Sequence, residues 1–457
     1  MTSTLDPAPT PTPSYLIVGA GAFGVSTALH LKARHGPRAD VTLIDRHPLA
    51  STTPRVAASW DWNKVVRADY ADPTYCALAL AAQDAWRADP AWRPYYRETG
   101  IYWISNGERM EGADGGGKGR HGESFAQRVM RNFEKLGRER DGVLREVPVQ
   151  EARREYGGLF EHADYGTVQT VLVNRSSGWA DAKGALEGAI ARAVEMGVRY
   201  VGAEVEGLVV EGDRAVGVRT RDGDVITAEH TVLATGAFTP LLLQRAAEST
   251  GRADLAAGGR IVAAGVTTGL TTLDEQTAAR FADMPVCIQE NPPERGASNG
   301  SLPPNENRQL KWWGQCIFRN TQTTPGGARI SAPPLKNDYA QWEVPEKLKE
   351  DVKYANKATF GEIGERWELE QYRICWDAVT PSQDFIISPH PAAAGLYIAT
   401  CGSFHGWKFM PIIGDYVAQM LEGALAPDLA ARWAWDREII DTARNKVWPR
   451  TELRDLL

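Results

Sequence analysis

Residues 15–47 read YLIVGAGAFGVSTALHLKARHGPRADVTLIDRH, and the order of elements in this stretch decides the fold. The apolar run 16–18 predicts a buried parallel strand, residues 26–33 predict a helix, and residues 41–44 predict a second strand. The glycines between strand and helix have GxGxxG spacing, which allows a tight turn, close approach of backbone to a pyrophosphate, and close packing of helix on strand. These glycines are Gly19, Gly21 and Gly24. The stretch therefore predicts a dinucleotide-binding α/β fold.

The second predicted strand ends on an acid, Asp45, whose carboxylate suits the ribose hydroxyls of a nucleotide. An acid in place of a basic residue disfavours a 2′-phosphate, so NAD and FAD remain as cofactors. Further along, Asp181 is placed to cap a helix, which leads into alternating strands joined by Gly/Asp turns that end at ATGA, residues 234–237. Such a β-meander inserted into the nucleotide fold favours FAD.

The bulk composition excludes several other classes of protein. A chain of 457 residues suits two domains, and its net charge of -7 gives no reason to expect nucleic acid or an anionic membrane as partner. The 5 cysteines are widely spaced without a CxxC pair, so neither a disulfide framework nor a metal site is indicated. The sequence has no signal-peptide core, no membrane-length apolar run and no peroxisomal SKL-type tripeptide. We therefore expect a cytoplasmic protein.

Four segments resemble one flavoprotein family, the D-amino-acid oxidase superfamily. The resemblance is to the branch of monomeric sarcosine oxidase, pipecolate oxidase and the fungal fructosyl amino acid (Amadori product) and saccharopine oxidases. It is carried by VGAGAFG (18–24), SWDWNKVVRADYADP (59–73), RICWDAVTPSQDFIISPHP (373–391) and YIATCGSFHGWKFMPIIGDYV (397–417). It spans nearly the whole chain in family order, and is weakest between about residues 241 and 360.

The resemblance implies a mixed α/β architecture and a monomer. A Rossmann-like FAD-binding domain is expected from 14–91, 166–240 and 370–445, a sheet-rich substrate domain from 92–165 and 241–369, a disordered tail at 1–13, and a C-terminal tail at 446–457. Gly- and charge-rich residues 106–124 predict a surface loop. Residues 295–307 predict a second loop, placed to cover the active site.

Cys375 matches the family cysteine that forms a thioether to the 8α-methyl group of the flavin. The resemblance implies that Cys375 is a covalent anchor, which would hold the ring in register and raise its reduction potential. A small buried thiol that only packs is the alternative. Cys401 is the rival anchor, in the glycine-rich segment expected beneath the flavin.

Basic residues from both ends of the chain match the family's substrate site. The resemblance implies that Arg67 and Lys408 bind a substrate carboxylate, the first through paired hydrogen bonds and the second as a point charge. It places Lys311 beside flavin N5 and C4a, where a cation would stabilise negative charge during reaction with dioxygen; a strand lysine facing solvent is the alternative. Lys64 would line the flavin, or form a salt bridge to a nearby aspartate, Asp61 or Asp69.

Other positions are assigned by the same resemblance. His405 would polarise the flavin, donate to substrate, or pack beside the cofactor. Phe404 stands where relatives usually have glycine and Trp60 where Amadori oxidases have histidine, so a bulkier substrate pocket and an apolar or aromatic substrate are expected. The expected cofactor contacts, besides those of the glycines, Asp45 and Cys375, are Phe23, Arg46, Ser59, Lys64, Val205, Gly236, Gly402, Phe404, His405, Gly406 and Lys408.

The resemblance implies an FAD-dependent oxidase of secondary or N-substituted amines or amino acids. Hydride would pass to flavin N5 to give an imine, and dioxygen would reoxidise the flavin to give hydrogen peroxide. One alternative is a biosynthetic oxidase whose imine or quinone-methide product is trapped in ring closure. Another alternative is a non-catalytic flavin-binding scaffold. A third is an NAD-dependent dehydrogenase, in which Cys375 and the meander would have no function.

Overall fold

The computed structural model describes residues 12–50, 55–105, 123–138, 142–290, 297–334, 340–442 and 445–457. Most of the predicted tail at 1–13 and of the predicted loop at 106–124 lies outside them. The helices, in chain order, are α1 (Ala22–His35), α2 (Pro73–Ala88), α3 (Phe125–Lys135), α4 (Val149–Ala152), α5 (Ala182–Glu195), α6 (Thr239–Thr250), α7 (Glu275–Arg280), α8 (Glu346–Phe360), α9 (Ile413–Leu421) and α10 (Pro427–Arg432).

Strands outnumber helices along the described chain. In order, they are β1 (Ser14–Val18), β2 (Asp40–Asp45), β3 (Asn63–Val66), β4 (Tyr96–Arg97), β5 (Ile101–Ile104), β6 (Leu144–Pro148), β7 (Thr170–Asn174), β8 (Gly178–Asp181), β9 (Arg199–Gly202), β10 (Val205–Glu211), β11 (Arg214–Thr220), β12 (Val225–Thr227), β13 (His230–Leu233), β14 (Val262–Thr272), β15 (Val286–Gln289), β16 (Asn299–Leu302), β17 (Gln309–Trp313), β18 (Phe318–Arg319), β19 (Thr321–Thr323), β20 (Arg329–Ser331), β21 (Gln371–Val379), β22 (Ile386–Pro389), β23 (Leu396–Thr400) and β24 (Thr451–Glu452).

The smaller of the two principal sheets is the nucleotide sheet, in the order β22-β23-β13-β1-β2-β9. Its strands are parallel except β22, which runs antiparallel to β23. The helix α1 is the next element after β1 and packs closely on it. The packing is so close that a Cβ at Gly24 would stand 1.8 Å from the carbonyl oxygen of Gly19. The α/β class and the Rossmann-like start expected from residues 15–47 are confirmed.

The predicted meander is present as the three-stranded antiparallel sheet β10-β11-β12. The helix before it, α5, begins where predicted: the Asp181 carboxylate accepts a hydrogen bond from the backbone N–H of Gly184 at 3.0 Å. This cap satisfies one of the N–H groups that the first helical turn leaves without a partner. The chain then returns to the nucleotide sheet through β13.

The larger sheet has ten strands, in the order β24-β18-β14-β17-β16-β15-β5-β7-β6, with β21 paired to β14. Residues directly opposite in an antiparallel pair point to the same face, and side chains alternate along each strand. Val266 on β14 pairs with Cys375, and Leu270 pairs with Lys311. Cys375 and Lys311 therefore share one face, whereas Trp312 is buried in the core on the other.

Some segments join a different sheet from the one expected. Both β7 and β21 lie in segments expected to form the FAD domain, yet they pair within the larger sheet. The expected C-terminal tail contributes β24, which pairs with β18 and is fixed by an ion pair of 2.7 Å between Arg319 and Glu452. These pairings join residues far apart in sequence, and no local pattern encodes them.

Two local predictions are corrected. The second predicted loop, 295–307, is described from residue 297 and contains β16, whose residues are buried and pair with β15 and β17. The segment around Lys64, which would place Lys64 and Arg67 on one face if it were helical, is instead the strand β3, whose β-branched Val65 and Val66 pair with β8.

Within the described ranges, every helix is too short or too polar to span a bilayer. The same residues bring together no group of three or more His, Cys, Asp or Glu side chains suited to a metal ion.

Candidate active site

A cavity of about 430 Å³ extends from the carboxyl ends of β1 and β2 to the larger sheet. Its nucleotide part is lined by Gly19, Gly21, Asp45, Arg46, Val205 and Gly236, and its cationic part by Lys64, Arg67, Lys311, Cys375, His405 and Lys408. Ligand sites of open α/β sheets lie at the carboxyl ends of their strands, so the position of this cavity is that of a cofactor site.

The nucleotide part is shaped by backbone. Gly19 has φ +101°, a conformation that L side chains rarely adopt, and its N–H donates to the Ile44 carbonyl at 2.8 Å. A Cβ at Gly21 would stand 3.1 Å from Ser59 Oγ, and Ser59 Oγ itself accepts from the Ala22 N–H at 2.8 Å. Glycine at both positions leaves the turn open to a ligand at the start of α1, where backbone N–H groups favour phosphate.

Asp45 stands at the end of β2, as predicted. Burial disfavours its charge, but hydrogen bonds from His47 and the positive charge of Arg55 outweigh this effect and hold the pKa of Asp45 below its ordinary value. Its carboxylate also accepts from the Ala20 N–H at 2.8 Å. Asp45 is therefore an ionised acceptor attached to the glycine turn.

The cationic part contains a buried charge cluster around Asp61. The Asp61 carboxylate lies 2.7 Å from Lys311 Nζ, 3.0 Å from Lys64 Nζ and 3.8 Å from Arg373 Nη1. Lys311 Nζ also donates to the Asn63 carbonyl at 2.8 Å. The side chains of Asp61, Lys311 and Arg373 are buried. Three cations thus surround one anion, and the cluster keeps an excess of positive charge.

The protonation states in this cluster follow from burial and pairing. Burial opposes the charge on Asp61, but Lys311, Lys64 and Arg373 outweigh it, so the pKa of Asp61 falls below its ordinary value. Burial lowers the pKa of Lys311 to about 8, against the opposing attraction of Asp61. Lys64 is also penalised by burial, yet its attraction to Asp61 leaves its pKa raised. At neutral pH both lysines are cations.

Tyr70 connects two of the predicted site residues. Lys408 Nζ donates to the Tyr70 hydroxyl at 2.6 Å, and that hydroxyl lies 3.1 Å from His405 Nδ1. His405 Nε2 lies 2.9 Å from the carbonyl of Gln383, which can only accept, so Nε2 carries the proton and Nδ1 accepts from Tyr70. Burial, reinforced by the Lys408 charge, lowers the pKa of His405 well below its ordinary value. His405 is therefore neutral, with both ring nitrogens engaged.

Arg67 contacts two aromatic rings. Its guanidinium carbon is 4.4 Å from the centre of the Tyr70 ring and 4.5 Å from that of Trp103. Arg67 also donates to the carbonyl of Asp69. The two rings hold the guanidinium at the cavity, where its N–H groups are the donors that a ligand would meet.

The turn after β23 supplies the last wall of the cavity. Cys401, Ser403 and Phe404 have φ of +71°, +46° and +61°, a conformation uncommon for residues other than glycine. The turn is tied to β21, since the Phe404 N–H donates to Asp377 at 2.8 Å. Burial raises the pKa of Asp377. Strain of this kind persists where surrounding contacts impose it, commonly at functional sites.

The family model for FAD dependent oxidoreductases matches residues 14–420. The chain belongs to this family. L-saccharopine oxidase of Schizosaccharomyces pombe is 26% identical over 450 residues, with 95% of each chain covered. Amino acid oxidase imqH of Aspergillus flavus is 29% identical over 463 residues, which cover 89% of this chain and 92% of the relative.

Solved structures extend the likeness over the whole fold. The deglycating enzyme fructosamine oxidase from Aspergillus fumigatus (Amadoriase II) is 26% identical, with a TM-score of 0.75 and coverage of 98% of this chain and 97% of that one. A fructosyl peptide oxidase has a TM-score of 0.80 at 20% identity, with coverage of 98% and 99%, and shares the fold. The expected family branch is confirmed.

The residues of the cavity fit the cofactor of the FAD dependent oxidoreductase family. The turn between β1 and α1 requires glycine, because a Cβ at Gly19 or Gly21 would contact neighbouring protein atoms. The ionised Asp45 stands at the end of β2, where the ribose of the nucleotide would lie. Arg46 packs over the Phe238 ring at 4.7 Å, and both residues line the same part of the cavity. These residues would hold the nucleotide, and the face bearing Lys311 and Cys375 would lie beside the ring system.

Most predicted site residues line this single cavity. Besides those that define its two parts, Phe23, Ser59, Gly402 and Phe404 also line it.

Three predicted residues lie behind the lining. Gly24 and Gly406 pack against neighbouring backbone, and the buried Trp60 packs on Trp62, Trp342 and Arg373 instead of on the cavity. Trp60 therefore supports the charge cluster from outside the cavity.

Several residues of the site were missed at the sequence level. Tyr70, Asp61, Arg373, Asp377 and Trp103 all touch the charged groups of the cavity or line it. Asp61 was considered only as a partner of Lys64. Alternation along β21 could have identified Arg373 and Asp377, which share the face of Cys375, whereas nothing in the sequence pairs Asp61 with Lys311.

Proposed function

We propose that this protein is an FAD-dependent oxidase of secondary or N-substituted amines, amino acids among them, with flavin joined covalently to Cys375. The observation that carries the proposal is the single cavity, in which a nucleotide cradle continues into a part lined by Cys375, Lys311 and two further cations, Arg67 and Lys408. The chemistry that FAD supplies when bound is acceptance of a hydride from the carbon beside the amine nitrogen and transfer of the electrons to dioxygen, which gives an imine and hydrogen peroxide.

The excess positive charge around Asp61 supports the oxidase assignment. Lys311 is held by Asp61 at 2.7 Å and carries its charge at neutral pH. A fixed cation stabilises negative charge that develops as dioxygen is reduced, and burial strengthens the interaction. A non-catalytic scaffold would need no such cluster.

The neutral state of His405 supports hydride loss without a general base. Its Nε2–H is used by the Gln383 carbonyl and its Nδ1 by the Tyr70 hydroxyl. A neutral amine can release a hydride without prior removal of a proton from carbon, so no side chain has to act as a strong base. Arg67 and Lys408 would orient a carboxylate-bearing substrate.

The surroundings of Cys375 support covalent attachment. Cys375 lines the cavity and lies on the same face of the larger sheet as Lys311. Cys401 packs in an apolar cluster, and burial raises the pKa of its thiol. Acid precipitation should leave flavin on the wild-type chain and on Cys401→Ala, and release it from Cys375→Ala. Release of the flavin from wild-type protein would reject the thioether.

The reaction is tested by anaerobic bleaching of flavin absorbance with a panel of donors. The panel is sarcosine, pipecolate, N-methyl aromatic amino acids, fructosyl amino acids, saccharopine and NADH. We expect bleaching by one amine class, followed by hydrogen peroxide release when air is admitted. Bleaching by NADH alone, or by none of the donors, would overturn the proposal.

A second candidate is a biosynthetic oxidase whose imine or quinone-methide product closes a ring. It is favoured by the aromatic lining of the cavity, which includes Trp103, Trp313, Trp376, Phe404 and Trp407. Such walls suit an aromatic substrate and limit access of water to the product. Product analysis separates the two candidates: a carbonyl compound indicates hydrolysis, and a cyclised product with unchanged carbon count indicates ring closure.

A further inference from the structure

We infer that Tyr70 is a positioning residue that holds Arg67 and Lys408 at the spacing required to bind one substrate carboxylate. This inference rests on the proposed function, since it concerns how the amine substrate is oriented. It is carried by contacts of Tyr70 that neither the motifs nor the family likeness assigns.

Tyr70 contacts both cations through different parts of its side chain. The Arg67 guanidinium lies over the ring, 4.4 Å from its centre. The Lys408 ammonium donates to the hydroxyl at 2.6 Å and stands 5.0 Å from the same ring centre. Two like charges repel each other, so a shared partner between them has to supply the attraction that keeps them close.

Tyr70 is itself fixed in place. The side-chain amide of Asn132, on α3, donates to the carbonyls of Tyr70 and Ala71, each at 3.0 Å. The hydroxyl donates to His405 Nδ1 at 3.1 Å, and the opposite nitrogen of that ring is bound to Gln383. The hydroxyl therefore donates to His405 and accepts from Lys408.

The arrangement makes Lys408 depend on a hydroxyl that is remote in sequence. Lys408 lies in the short 3-10 helix Trp407–Phe409, and its Nζ also donates to the His405 carbonyl at 2.6 Å. Without the Tyr70 hydroxyl, the ammonium keeps that carbonyl and its contacts with the Tyr70 and Phe409 rings, but loses its hydrogen bond to the residue that also contacts Arg67. A substrate carboxylate would then bind to Arg67 and Lys408 while the distance between these two cations is no longer fixed.

The test compares Tyr70→Phe with Tyr75→Phe, each of which removes one buried hydroxyl. Tyr75 belongs to the same aromatic cluster, but its hydroxyl accepts from Trp433 Nε1 and the Phe385 N–H, each at 3.4 Å. Binding of acetate, pyrrole-2-carboxylate and benzoate, and of their amides, to the flavin-loaded protein is followed by the flavin absorption spectrum. We expect Tyr70→Phe to raise the carboxylate Kd about tenfold, as for loss of a hydrogen bond to a charged group. Amide Kd values should not change, and Tyr75→Phe should alter neither.

A double-mutant cycle separates positioning from a general loss of structure. In a Lys408→Met background, Tyr70→Phe should have no further effect on the carboxylate Kd, because its effect passes through the ammonium. Equal effects of Tyr70→Phe in both backgrounds, or equal losses for acids and amides, would overturn the inference. So would failure of every carboxylate in the series to bind wild-type protein.

The outcomes also distinguish this inference from the proposed function. If Arg67→Met and Lys408→Met weaken carboxylate binding and Tyr70→Phe does not, the inference fails and the carboxylate site stands. If an amine bleaches the flavin while none of these variants changes carboxylate binding, the oxidase stands without a carboxylate site, and Tyr70 has no positioning role.

Discussion

The nucleotide part of the cavity is built mainly on the short stretch from β1 to the end of β2, whereas the cationic part is positioned by side chains from distant strands. In the first, the turn from β1 to α1 and the end of β2 supply the contacts around Gly19 and Asp45. In the second, β17, β21 and the segment that follows β23 bring Lys311, Cys375 and Lys408 together. The shape of the nucleotide part depends on glycine at a few backbone positions. The stability of the cationic part depends on the presence of every charged partner.

The largest effect is expected for Asp61→Asn, which removes the anion at the centre of the charge cluster. Lys311 and Arg373 would remain buried, and Lys64 half-buried, without it, and breaking a buried pair costs about 3–5 kcal/mol. Urea unfolding measures this change in the free energy of unfolding. Asp222→Asn, in an exposed turn, is the control. Equal stability of the two variants would show that the cationic part does not depend on its anion.

Lys311→Met should slow reoxidation of reduced flavin by dioxygen by about 10²–10³-fold, since one preorganised charge is lost. Flavin content and anaerobic bleaching should be unchanged, because the nucleotide part is untouched. Stopped-flow mixing with oxygen measures the rate, and the exposed Lys357→Met is the control. Reoxidation as fast as in wild type would remove Lys311 from the mechanism.

The pH dependence of the same step sharpens the assignment. The ammonium of Lys311 is charged below its pKa of about 8 and neutral above it, so the wild-type reoxidation rate should fall as pH rises through about 8. Lys311→Met should lack this fall. A rate that rises with pH over this range would contradict the role of the cation.

A smaller effect is expected in the first turn of α1. Gly24→Ala places a Cβ 1.8 Å from the Gly19 carbonyl oxygen, so α1 has to move away from β1. Overpacking of this kind costs about 1–3 kcal/mol, and the variant should bind flavin more weakly. Gly207→Ala, with nothing within 4 Å of its added Cβ, is the control. Unchanged flavin content in Gly24→Ala would show that close packing of this helix is not required for the cradle.

The smallest effect is expected for Trp60→Phe. Trp60 packs on Trp62 and Trp342 outside the cavity, so the KM for the amine substrate should change by less than about twofold. Trp313→Phe alters the lining itself and should change KM more. If Trp60→Phe had the larger effect, the predicted role of Trp60 in substrate binding would be restored.

The nucleotide part and the cationic part of the cavity also differ in how well the sequence predicts them. The glycines, Asp45, the Asp181 cap and the meander were predicted because each depends on neighbours within a few residues. The family likeness supplied Lys311, Cys375, Arg67 and Lys408, but not their partners. The hydroxyl of Tyr70 meets Lys408 across 338 positions, and Lys311 meets the Asn63 carbonyl across 248. Contacts of this range depend on strand register in the whole sheet, which local periodicity does not encode.

The order of strands in the nucleotide sheet has a consequence for how the protein is made. During synthesis β1 and β2 leave the ribosome first, but β1 also pairs with β13, and β13 pairs with β23 at residues 396–398. One edge of β1 therefore stays unpaired until β13, about 215 residues later in the chain, has been synthesised. Premature termination anywhere before β23 would release a chain with an open, apolar sheet edge, a substrate for chaperones and proteases.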